Sequence, residues 1–149
     1  MNELISKNNI RIQVSVDDWQ QAIAEAGKLL LESCSINETY IENMINSVKE
    51  LGPYIVIAPH IALAHSRPDE NVYKGDISLI TLKNPVEFGN KDNDPVKLVF
   101  SFAAKENGGH MVQLAAIARI LENEESFNKV IASLDKEEVY KIINGKEVD

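Results

Sequence analysis

Gly52-Pro53-Tyr54-Ile55-Val56-Ile57-Ala58-Pro59-His60-Ile61-Ala62-Leu63-Ala64-His65-Ser66-Arg67-Pro68-Asp69 is an apolar run that ends in an imidazole and a guanidinium. Proline has no N–H to give to a central ladder, so Pro59 marks a bend between two extended pieces, Tyr54 to Ala58 and Ile61 to His65. Alternation along the second piece puts Ile61, Leu63 and His65 on one face. Two aliphatic side chains then anchor a strand from whose end the His65 ring emerges, stiffly supported behind and open to solvent in front.

The flanking segments place that strand in an α/β fold. Asn37 can cap a helix through Leu51, with Tyr40, Ile41, Met44, Ile45 and Val48 on one face and Gly52 as its stop. Earlier, Ile10, Ile12 and Val14 alternate with Arg11 and Gln13 as a half-buried first strand. Ser15-Val16-Asp17-Asp18 then resembles a capping box for a helix whose apolar face carries Trp19, Ile23, Ala26 and Leu30. Downstream, Ile77 to Leu82 and Val96 to Phe102 are strands too apolar for a one-sided sheet, so helices are expected over both faces. Asn84 to Asp94 is a polar connection between them. A helix from His110 to Glu122 is expected to bury Leu114, Ala115, Ala118 and Leu121. Shorter helices follow over Glu124 to Ala132 and Lys136 to Ile143, with Gly145 at the final C-cap. No internal repeat or linker interrupts the pattern, so residues 1–149 read as one three-layer α/β/α domain around a small mixed sheet.

Composition narrows the partners. A chain of 149 residues can enclose one real core but not two comfortable ones. Its 15 Lys and Arg against 23 Asp and Glu give a net charge of −8, which argues against nucleic acid and anionic membrane surfaces, because phosphate binding relies on a basic face. No apolar stretch approaches the roughly 20 residues of a membrane span, and the start of the chain lacks a signal peptide's pattern. A cytoplasmic protein is expected. The single cysteine, Cys34, cannot close an internal disulfide and is read as a small packed residue near a helix end.

The chemistry-bearing residues are few. His60, His65 and His110 lack the short spacing and supporting cysteine of a zinc site, and Glu87, Asp92 and Asp94 read as a solvated acidic turn rather than a cation site. No serine nucleophile elbow, Walker loop or dinucleotide turn is present. Histidine near neutral pH can be a good neutral nucleophile and can carry a labile phosphoryl group on nitrogen. His65, at a strand end, suits that role, whereas His60 faces away from it and reads as structural. His110 follows Asn107-Gly108-Gly109 at a helix start, where free N–H groups and the helix dipole favour an anion and disfavour an extra proton on the ring. Arg67 offers a planar fork suited to phosphate oxygens.

These residues also carry a resemblance. The Gly-Pro-Tyr start, the proline within the run and the closing His-x-Arg-Pro-acid are similar to the active-histidine segment of enzyme IIA components of the bacterial phosphoenolpyruvate-dependent sugar phosphotransferase system, mannitol/fructose superfamily, ascorbate-type branch. The likeness extends through Ser78 to Leu82, Asn84 to Gly89 and Asp92 to Phe100, and His110 leads a helix where the family has its second histidine. His60 stands where the family usually has glycine, Ala64 where it has proline, and Gly109 where a small hydroxyl residue is common. The resemblance implies the same three-layer architecture and a phosphotransferase component in which His65 takes a phosphoryl group from HPr and passes it to a cognate enzyme IIB. His110 would lie against it, Arg67 would match the family arginine, and Lys49 falls where mannitol-type relatives place an active-site arginine. It implies no metal or organic cofactor, no direct sugar binding, and only an indirect link to a membrane enzyme IIC. The rival readings are a regulatory enzyme IIA paralogue and a binding module that has lost phosphoryl transfer.

Overall fold

The computed structural model describes residues 3–106, 109 and 111–146. Its strands are β1 (Ile10–Val14), β2 (Val56–Ala58), β3 (Ile61–Ala64), β4 (Asp76–Val86) and β5 (Val96–Ala103). Its helices are α1 (Trp19–Glu32), α2 (Glu38–Leu51), α3 (Met111–Leu121), α4 (Glu124–Ala132) and α5 (Lys136–Ile143). The strands form one five-stranded sheet in the order β1-β4-β5-β3-β2. β1 runs parallel to β4 and β3 parallel to β5, while β4/β5 and β2/β3 are antiparallel. The mixed α/β sheet is the one expected.

Burial on both sides explains the apolar strands. Ile80, Leu82 and Val99 join Ile23, Leu30, Tyr40, Met44 and Val48 in a core beneath α1 and α2. Ile77, Leu79, Leu98 and Phe100 join Ile117, Leu121, Val130, Val139 and Ile143 in a second core beneath α3 to α5. Successive strand residues point to opposite faces, so neighbours such as Leu79 and Ile80 serve different cores. On the first face the helices lie close: a Cβ on Gly27 of α1 would meet Ile41 Cγ1 of α2 at 2.8 Å.

Several local expectations change. Ile10 and Ile12 pack with the second core, but Val14 packs with the first. The register shifts between Arg11 and Val14, and Gln13 has φ +52°, so a bulge turns Val14 to the other face. The helix start after β1 is capped three residues later than the capping-box reading: Asp18 accepts from Gln21 N–H, and the Gln21 side chain accepts from Asp17 N–H. Cys34 is exposed, with φ +60°, in the turn that ends α1, so it is not a packed residue. β4 continues to Val86 and takes the first residues of the expected polar connection. On α3, Ile117 and Leu121 are buried, whereas Leu114 is half-buried and Ala115 and Ala118 are exposed; Leu114 and Ala118 line a groove shared with Ile57, Ile61 and Leu63.

α2, α4 and α5 begin and end where their caps indicate. Asn37 accepts from Tyr40 N–H, Asn123 from Ser126 N–H and Asp135 from Glu137 N–H. Gly52 closes α2 at φ +86°, a left-handed conformation that glycine adopts without a Cβ penalty. The chain then enters the β2–β3 hairpin directly. α2 is thereby held against the strand that presents His65.

Candidate functional site

Pro59 and His60 form the turn of the hairpin, as the proline indicates. His60 has φ +71°, its N–H donates to Asn93 O at 2.9 Å, and its carbonyl accepts from Lys97 N–H and Leu98 N–H at 2.8 and 3.0 Å. From that corner β3 runs parallel to β5, with Ile61 opposite Leu98 and Ala64 opposite Ser101. Ala64 is fully buried in the first core, so packing and the ladder hold this position without a proline. Ile61 and Leu63 pack toward the second core, as alternation requires.

His65 is half-buried at the strand's exit. Its ring stacks on Phe102, with centroids 5.0 Å apart and planes 19° apart, and meets the Tyr54 ring edge-on at 5.7 Å. Its Nδ1 lies 2.8 Å from Leu63 O. A carbonyl only accepts, so Nδ1 carries the proton and, in the neutral ring, Nε2 holds the free lone pair. Hydrogen bond and stack together set both the tautomer and the plane of the imidazole.

The ring opens into a depression of about 320 Å³. Ser47 and Leu51 of α2 line it, with Tyr54, Ser66, Arg67, Pro68, Phe102, Ala104 and Glu106. Gly109 and Met111 complete the rim. The structure therefore brings His65 and Arg67 to one cavity. His110, between Gly109 and Met111 in sequence, lies outside the described residues. A Cβ on Gly109 would meet Ala104 Cβ at 2.9 Å and Glu106 O at 3.2 Å, so the close approach of this segment to the end of β5 accounts for glycine there. Lys49 is exposed on the last turn of α2 and does not line the depression. It stands about 200° around the helix from both Ser47 and Leu51, which do.

Around the cavity, Leu51, Tyr54 and Met111 are 72%, 44% and 63% exposed, so apolar side chains stand at the surface beside His65. The acidic loop has a structural explanation: the Asp94 carboxylate accepts from Phe88, Gly89 and Asn90 N–H groups. Among the described residues no group of three or more His, Cys, Asp and Glu is arranged to hold a metal ion. No helix among them is long and apolar enough to cross a membrane.

Sequence reading identified Tyr40 only as part of an apolar helix face. Its ring is fully buried, yet its hydroxyl bonds to Ser66 N–H at 3.0 Å, Ser66 O at 3.1 Å and Phe102 O at 3.0 Å. Burial pushes its pKa up to about 12, opposed by the backbone hydrogen bond at Ser66. The sequence shows Tyr54 and Phe102 only as strand residues; Phe102 does lie in β5, whereas Tyr54 lies in the turn before β2, which starts at Val56. A tyrosine on an otherwise aliphatic helix face was the available signal for the first, since a buried hydroxyl needs partners.

Comparison with known proteins finds relatives that span nearly the whole chain. The family pattern described as "Phosphoenolpyruvate-dependent sugar phosphotransferase system, EIIA 2" matches residues 3–146. The chain is 35% identical over 144 residues to the ascorbate-specific phosphotransferase system EIIA component of Escherichia coli K12, covering 96% of this chain and 94% of that one. Among solved structures, the mannitol-specific cryptic phosphotransferase enzyme IIA of Escherichia coli superposes with a TM-score of 0.82 at 29% identity, covering 95% of this chain and 96% of that one. A further likeness of fold, with a TM-score of 0.83 at 21% identity over 95% of this chain and 98% of the other, is to Escherichia coli enzyme IIAMTL in its complex with phosphorylated enzyme IIBMTL.

Proposed function

The chain belongs to the EIIA 2 family of the sugar phosphotransferase system, a family of phosphocarriers, and on that premise we propose that Nε2 of His65 is the atom that carries the phosphoryl group. The observation that supports this most directly is the Nδ1 hydrogen bond to Leu63 O, which leaves Nε2 as the nucleophilic nitrogen of a ring that lines the depression.

In the proposed cycle the Nε2 lone pair attacks the phosphorus of a phosphohistidine on HPr. The new N–P bond forms as the donor's N–P bond breaks, and the donor imidazole keeps the electron pair. Leu63 O stabilises the positive charge that spreads to Nδ1–H. A cysteine thiolate of enzyme IIB then attacks the same phosphorus, and the lone pair returns to Nε2. Both steps are transfers between proteins, so positioning and charge stabilisation do the catalytic work. Phosphorylation brings about −1.5 to −2 charge into the depression. Arg67 would meet it with its fork, and His110 would donate a further hydrogen bond. Lys49 would act only at longer range, on the approach of partners. The exposed Leu51, Tyr54 and Met111 suit partners that must bind and leave in turn, since transient interfaces are modest in size.

Incubation with phosphoenolpyruvate, enzyme I and HPr tests the proposal. One acid-labile phosphate per chain, absent in His65→Gln, is expected. Equal labelling of that variant moves the acceptor elsewhere, and an unlabelled wild type favours a binding module.

A further inference from the structure

β3 and β5 are joined by a parallel ladder whose course can be followed residue by residue. His60 O accepts from Leu98 N–H, whereas Leu63 N–H turns the other way and donates to Ile55 O at 2.8 Å. Peptide groups alternate in direction along a strand, so the even-numbered residues of β3 face β5. Ala64 lies opposite Ser101, which puts Ser66 opposite Ala103 if the register continues. In a parallel pair the N–H of such a residue reaches the carbonyl preceding its partner, so the next rung would run from Ser66 N–H to Phe102 O. Those are the two groups that the Tyr40 hydroxyl bridges, at 3.0 Å each.

We infer that Tyr40 is a positioning residue for His65, its hydroxyl being spliced into the β3–β5 ladder as a relay in place of the last direct rung. The inference rests on His65 being the phosphoryl acceptor. The hydroxyl accepts from Ser66 N–H and has one proton to give, which lies between Ser66 O and Phe102 O. An inserted oxygen keeps the strand ends farther apart than a direct bond of about 2.9 Å. One end then holds the backbone next to His65, and the other holds Phe102, the ring on which the imidazole stacks. A single buried side chain from α2 thus sets both the nucleophile and its platform. Its pKa keeps the relay protonated throughout the range in which histidine chemistry operates.

Tyr40→Phe keeps the ring and removes the relay. Transfer from phospho-HPr is expected to slow by about 10²-fold, as for a misplacement of about 1 Å, with full final stoichiometry and an unchanged half-saturating HPr concentration. A merely structural role would not alter the spectrum of a folded variant at the site, so the ¹⁵N imidazole signals of His65 and the Ser66 amide signal are the second readout. Loss of the single Nδ1–H tautomer and a shifted Ser66 amide support the relay. A wild-type rate with both signals unmoved overturns it. Should wild type accept no phosphate, the acceptor reading fails, while the two signals still decide the relay. Should Tyr40→Phe not fold, hydrogen exchange at Ser66 in wild type decides: protection supports the relay, and exchange as fast as in an open loop overturns it.

Discussion

β3 has a histidine immediately before its first residue and another immediately after its last, and the two make the same kind of bond. His60 Nδ1 lies 2.7 Å from Pro95 O and His65 Nδ1 lies 2.8 Å from Leu63 O. Each ring also stacks on a phenylalanine, His60 on Phe127 at 6.2 Å and His65 on Phe102 at 5.0 Å. Their surroundings differ. His60 borders an apolar groove of about 520 Å³ lined by Ile57, Leu63, Ile117 and Phe127, with Glu122 and Glu124 as its charges. His65 shares its smaller depression with Arg67 and Glu106. A developing phosphoryl group would meet carboxylates alone at one end of the strand, and a guanidinium as well as one carboxylate at the other. Both rings have a fixed tautomer, so on the proposed assignment what separates the two ends of the strand is the guanidinium beside His65.

The sharpest way to break this contrast is to exchange the outcomes. His65→Gln should lose the acid-labile phosphate altogether, while His60→Gln should retain full stoichiometry; label retained in the first and lost in the second, measured after incubation with phospho-HPr, would reverse the assignment. Next in size, Arg67→Ala should slow transfer by about 10²- to 10³-fold, the usual loss for one charge-stabilising donor. Arg67→Lys should recover only part, because the bidentate fork is lost. Equal rates in all three proteins, by rapid-quench labelling, would leave no role for charge in the comparison.

Two smaller effects concern stability. Tyr40 has a folded pKa raised to about 12 from 10.0, chiefly by burial. The unfolded chain therefore ionises first as pH rises, so the contribution is fully present below pH 10 and is lost between 10 and 12. Wild type should lose about 2 kcal/mol more than Tyr40→Phe across that window, read from denaturant midpoints; parallel pH curves would contradict it. At the other end of β3, His60→Ala should cost about 1 kcal/mol or slightly more, by removing the bond to Pro95 O while keeping a Cβ at φ +71°. His60→Gly should cost less, since glycine tolerates that conformation. Equal losses in chemical denaturation would show that the φ value carries no strain.

The same φ bears on a departure visible in the sequence: His60 stands where the resembled family pattern has glycine, and at φ +71° the turn takes the left-handed conformation that glycine adopts most easily. Much else was legible because its causes are local. Asn37, Asn123 and Asp135 cap helices through bonds to residues two or three positions on, and the apolar character of β4 and β5 follows from burial on both faces. Where a pattern failed, a long-range or conformational cause intervened. The bulge at Gln13 redirected Val14, and the groove between α3 and the β2–β3 hairpin left Ala118 uncovered. Cys34 became exposed because it lies in the left-handed turn that ends α1.

Residue order alone established the α/β class, the helix boundaries at α2, α4 and α5, and a histidine and arginine delivered from the end of an apolar strand. Those features depend on periodicity, capping and residue chemistry, which act over a few positions. What His65 stacks on, and that Arg67 rather than Lys49 lines its depression, depended on the packing of segments distant in sequence. Tyr40 makes the point most clearly: its hydroxyl reaches residues 26 and 62 positions away, and nothing within its own helix requires that contact. It exists because α2 folds over a place where two strand ends leave a donor and an acceptor to be joined.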